Sequence, residues 1–122
     1  MAAKLEHATL VTTAATADQV ILTVTLSAPF LVKLMALGAA FTTYSATEAA
    51  VGLGRIQTYV AAAWGQRFEQ RFQNTDLDNN AGMSILPLGS GITFATGENL
   101  RAICTPAGTT STRWPASFWG EA

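Results

Sequence analysis

Few side chains in this chain of 122 residues are of types that could do chemistry. Nucleophilic catalysis needs a base beside the nucleophile. The single histidine, His7, stands near the N-terminus, and no GxSxG turn exists for it to serve. His7 therefore reads as a surface or strand-edge residue. The single cysteine, Cys104, shares a strand face with Leu100 and Ala102, the setting of a small buried hydrophobe. A reactive thiol needs an exposed, electropositive setting, and a lone cysteine excludes an intrachain disulfide. The carboxylates are scattered, with only Asp76 and Asp78 close together. Asp76, Asp78 and Asn80 occupy the first, third and fifth positions of a calcium loop. Such a loop requires a glycine where Ala81 stands and a glutamate where Pro87 stands, so the segment reads as a polar turn. No catalytic residue, cofactor site or metal site is expected, and the chain is read as non-enzymatic.

The aromatic C-terminus carries more information. In Arg113-Trp114-Pro115-Ala116-Ser117-Phe118-Trp119-Gly120, alternation puts Trp114, Ala116 and Phe118 on one face and Pro115, Ser117 and Trp119 on the other. One tryptophan can enter a core. The other needs cover, because burying its ~200 Å² contributes about 5 kcal/mol at roughly 25 cal/mol per Å². A neighbouring loop, a partner subunit or a sugar ring stacked on the indole would each supply it. Trp114, Phe118, Trp119 and Arg113, with Tyr59, are the candidate interface residues.

The elements that must position these residues are strands. Val20–Leu26 (VILTVTL) is the clearest, with Val20, Leu22, Val24 and Leu26 on one face and threonines on the other. His7–Thr13, Arg55–Trp64, Arg67–Phe72, Met83–Leu88, Ile92–Phe94, Leu100–Thr105 and Thr112–Trp119 also read as strands or fragments of them. Pro87 marks an edge. Phe30–Phe41 is apolar all round as a helix and contains Gly38; its neighbours favour a strand, with Lys33 facing out. Ser45–Glu48 matches a capping box and a short helical turn. Strand–helix–strand alternation is missing, so the expectation is all-β: residues 1–122 as one antiparallel two-sheet β-sandwich of about eight strands, with jelly-roll topology.

Composition points to assembly. Apolar residues make up 49% and charged residues 12%, against about 25% charged in ordinary soluble domains. Interface cores are depleted in charge, so this poverty favours a subunit covered by neighbours. The net charge is −1 with no basic patch, which argues against nucleic acid as a partner. The N-terminus has no signal-peptide pattern, and the longest apolar run is too short for a membrane helix, so no membrane association is expected.

The stretch Ile92-Thr93-Phe94-Ala95-Thr96-Gly97-Glu98-Asn99-Leu100-Arg101, followed by a Gly/Thr loop and Arg113–Gly120, resembles the closing strands of small virion proteins of tailed bacteriophages. There, a Gly-acid-x turn precedes the penultimate strand and the last strand ends in an aromatic-x-x-Phe-x-Gly pattern. The chain is similar to jelly-roll cement or decoration proteins that coat phage capsids. Outside these closing strands the match is one of strand rhythm alone. The resemblance implies a homotrimer bound to the major capsid protein on the outer surface of a phage shell, assembled in the host cytoplasm and residing in the virion. A phage tail or baseplate component, and a carbohydrate-binding module with Trp119 and Tyr59 stacked on sugars, are the alternative readings.

Overall fold

Alternation of apolar and polar residues becomes eight antiparallel strands in two four-stranded sheets. The computed structural model describes residues 2–12, 17–41, 51–60, 62–73, 81–106 and 111–122. The strands are β1 (Ala3–Thr12), β2 (Gln19–Thr25), β3 (Phe30–Phe41), β4 (Val51–Val60), β5 (Ala63–Gln73), β6 (Ala81–Phe94), β7 (Asn99–Thr105) and β8 (Thr112–Glu121). One sheet has the order β1-β8-β3-β6 and the other β2-β7-β4-β5. First pairs with last, second with seventh, third with sixth and fourth with fifth. This is a hairpin folded over on itself, the jelly-roll winding expected from the sequence.

The core lies between the sheets. Phe30, Val32, Met35, Leu37, Trp114 and Phe118 from one sheet meet Val24, Ile56, Phe72, Leu100, Ala102 and Cys104 from the other. The indole of Trp114 is fully buried and packs edge-on to Phe72, with ring centroids 5.9 Å apart. Its N–H donates to the Thr12 hydroxyl at 3.1 Å, which in turn donates to the Thr112 carbonyl at 3.3 Å. The space for this ring comes from the facing strand. A Cβ on Gly52 would stand 2.6 Å from Trp114 Cη2, and one on Gly54 would overlap the Leu37 side chain. Two glycines that weaken β4 as an isolated strand are thus the sockets for Trp114 and Leu37 opposite.

The structure bears out one local expectation and corrects several others. Phe30–Phe41 is a strand, and Lys33 is the extra residue of a bulge, paired with Glu121 at 3.4 Å. A second bulge at Ile21 breaks the uniform face expected of Val20–Leu26. It buries Ile21 and turns Val20 out to solvent. Met83–Leu88 and Ile92–Phe94 belong to one long edge strand, β6, paired only with β3. Trp64 lies in β5 and does not end β4, because the hairpin turns after Val60, which pairs with Ala63. The predicted helical turn at 45–48 and the polar turn at 76–80 lie outside the described residues. Ala62 adopts a φ of 63°, a left-handed conformation that strains an L side chain.

Replacing Gly52 with Ala forces the added methyl against the indole, with an expected cost of about 1–3 kcal/mol. Trp114→Phe removes the clashing ring, so the two substitutions together should cost less than their sum. Denaturant unfolding of the four proteins of the cycle measures this; strict additivity would exclude the socket. Ala62→Gly, which relieves the left-handed strain, should raise stability by about 0.5–1 kcal/mol in the same assay.

Candidate interface

The outer face of the β1-β8-β3-β6 sheet is built in rows that cross the strands. Leu5, Trp119, Leu34 and Pro87 form one row; His7, Ser117, Ala36 and Ile85 form the next. A third carries Thr9 and Pro115, with Gly38 beside Met83. Charge enters only at the two ends of this face. Arg113, beside Val11, stands at one end, and Glu121, beside Ala3 and ion-paired to Lys33, at the other. Leu5, Val11, Met83, Ile85 and Trp119 are all exposed here, Ile85 by 59% and Trp119 by 44%. Between β1, β8 and β6 lies an open hollow of about 280 Å³ bordered by Leu5, His7, Thr9, Met83, Pro115 and Ser117. The residues that floor it are small: Ala8, Ala116 and Ser117.

The opposite outer face, on β2-β7-β4-β5, has a different chemistry. Arg55 Nε donates to Glu69 at 3.0 Å and its Nη1 donates to Thr105 at 3.2 Å, while Thr105 donates to Asp18 at 2.5 Å. Arg101 lies 3.9 Å above the Trp64 ring and donates to Gln57 at 2.8 Å. Val20 is the one large exposed hydrophobic on that face among the described residues. The sandwich is therefore two-sided: a hydrated lattice of charges on one surface and bare aliphatic and indole groups on the other. Ordinary monomers break up apolar patches of this kind.

The predicted site residues separate in this geometry. Trp119 and Arg113 stand on the apolar face. Trp114 and Phe118 are fully buried between the sheets, so neither can present itself to a partner; the pleat of a regular strand sends them inward when Trp119 points out. Tyr59 is on the opposite sheet, half-buried, with its ring 5.1 Å from that of Trp64. Leu5, Leu34, Met83 and Ile85 were not among the expected site residues, although β3 and β6 carry apolar side chains on both faces, which a two-layer sandwich cannot bury. His7 lies exposed on edge strand β1 beside Ser117.

Cys104 is fully buried. Loss of hydration pushes its thiol up to about 12 from 9.0; the Asp18 carboxylate adds to the rise, and a hydrogen bond from the Gln19 backbone opposes it. Among the described residues no group of His, Cys, Asp and Glu could hold a metal ion. Among the described residues no helix is long and apolar enough to cross a membrane.

No protein-family model matches the chain, and no curated protein matches it. Among solved structures, it is similar to a protein of the acidic stable capsid of Helicobacter pylori bacteriophage KHP30. The TM-score is 0.54 at 5% identity, over 97% of this chain and 89% of that one. The shared property is the fold. Looser overlaps, with TM-scores of 0.42 and 0.40, occur with the decameric BFDV capsid protein (10% identity, 97% of each chain) and with Bacillus endospore appendages (13% identity, 98% of this chain and 88% of that one).

Cys104 supplies a check on the packed core. A thiol-specific reagent such as Ellman's should leave the native protein unmodified and react once denaturant unfolds it; immediate reaction would show an open core. The unfolded chain gives up the thiol proton near pH 9 while the folded chain holds it to about pH 12. Unfolding free energy should therefore fall across that window, and Cys104→Ala should flatten the slope.

Proposed function

We propose that the chain is a non-enzymatic structural subunit of a virion, of the cement or decoration type, acting on the outer surface of a phage capsid shell through protein–protein contacts. The observation that carries this reading is the two-sidedness of the sandwich. A face whose middle rows hold no acidic or basic group except His7 needs little desolvation of charge when a neighbour covers it. Its exposed leucine, isoleucine, methionine and tryptophan supply the apolar area. The fold likeness to a phage capsid protein agrees with this role. The surroundings of Trp119 speak against a sugar platform. Its cross-strand neighbours are Leu5 and Leu34, which offer no hydrogen bonds to a hydroxylated ring.

Energy in this mechanism comes from burial repeated by symmetry. Each contact can be modest, because copies held on one shell bind with avidity. The polar face stays in water and keeps the assembly soluble.

The test is co-sedimentation of the purified protein with expanded phage capsids. The protein should pellet with shells, and Ile85→Asp or Trp119→Asp should lower the bound fraction about tenfold or more, consistent with loss of a buried anchor. Thr23→Glu, on the polar face, should leave it unchanged. No pelleting with any shell, or equal pelleting of the apolar-face variants, would overturn the proposal.

A further inference from the structure

The outward residues of β8, read along the strand, are Arg113, Pro115, Ser117, Trp119 and Glu121. The order is self-complementary about Ser117: a cation at one end answers an anion at the other, and a proline answers a tryptophan. The adjacent strands repeat the property. On β3, Leu34 and Gly38 are equidistant from Ala36; on β6, Met83 and Pro87 are equidistant from Ile85. Ser117, Ala36 and Ile85 all stand in the same row.

We infer that the apolar face is covered by a second copy of this chain, packed sheet to sheet about a two-fold axis that runs along the row of Ser117, Ala36 and Ile85. Such an axis reverses the strand direction and keeps the strand order, so β8 lies over β8 of the second copy. Arg113 then meets Glu121 of the second copy, and Trp119 sits over Pro115 at the hollow it borders. Leu34 faces Gly38, a bulky side chain against a bare backbone. Each of these contacts occurs twice, as an isologous interface requires.

The dimensions agree. Four strands about 4.8 Å apart and ten residues long at about 3.4 Å each present roughly 650 Å² per copy. Two copies bury on the order of 1,300 Å², within the ~1,200–2,000 Å² of stable interfaces. Packed sheets cross at about 30° and lie about 10 Å apart, which displaces the charged ends by about 7 Å sideways. Extended Arg and Glu side chains span that gap.

The inference rests on the reading that protein covers this face, and names its occupant in the free protein: a second copy, which the shell displaces on binding. Light scattering and sedimentation equilibrium on the free chain, without shells, provide the test. The protein should be a dimer of twice its 12.8 kDa mass. Arg113→Glu and Glu121→Arg should each weaken dimerisation by about tenfold or more, because each sets like charges opposite one another. The double reversal, Arg113→Glu with Glu121→Arg, should return it to within a few-fold of the parent. Thermal melts of the variants confirm that these exposed changes leave the fold intact. A monomer or trimer at all concentrations, no weakening by either reversal, or no rescue in the double variant would overturn the pairing. Any of those results alongside retained shell binding leaves the proposed function standing. A dimer that pellets with no shell supports the pairing and removes the cement role.

Discussion

The indole of Trp114 sets the spacing of the two sheets, and much of the structure is arranged to admit it. It is the largest fully buried side chain and it needs both a void and a hydrogen-bond acceptor. Gly52 supplies the void and Thr12 the acceptor. Those residues come from β4 and β1, so one side chain ties the last strand to the first and to the opposite sheet. Sheets of a sandwich stand about 10 Å apart; Ala or Val at position 52 would require a wider gap or a smaller ring. Inward commitment of Trp114 has an outward result. With the strand pleated, Trp119 five residues on is sent to the other face.

The alternation of β8 was legible because its two faces differ in size and its pairing is uninterrupted along β1. The winding was legible only as a strand count, since the pairings that define it join residues more than a hundred positions apart. The bulges at Ile21 and Lys33 could not be read from pattern. An inserted residue shifts the phase of everything after it, and the cause lies in the neighbouring strand. The candidate site was half legible. Trp119 was singled out by alternation, but Tyr59 was assigned to the same surface although it lies on the other sheet. Met83 and Ile85 carry no such signal, because MSILPL reads equally well as a core strand. Only the lateral order of the sheet, with β6 at an edge and none of the described residues over its outer face, shows that these residues are bare.

The two outer surfaces differ in how they hold water. On the β2-β7-β4-β5 side, arginines are satisfied locally by Glu69, Gln57, Thr105 and the Trp64 ring, so that surface is complete without a neighbour. On the other side the only ionic contact among the described residues is at one end. A sandwich needs a core between its sheets but has no need of aliphatic residues outside them. Their concentration on one side therefore reflects something other than folding.

The nested pairing also decides how the molecule carries load. Ala2 and Ala122 exchange two backbone hydrogen bonds at 3.0 and 2.9 Å, so residues 2 and 122 sit side by side at the end of the β1–β8 ladder. Tension applied at those two residues opens that ladder one rung at a time, as a zip is undone. Tension that pulls a strand along its own axis, past its neighbours, must shear many hydrogen bonds at once, in parallel. The fold is thus weak against peeling and strong against sliding, and a role in holding other proteins together suits it only where force arrives through its faces.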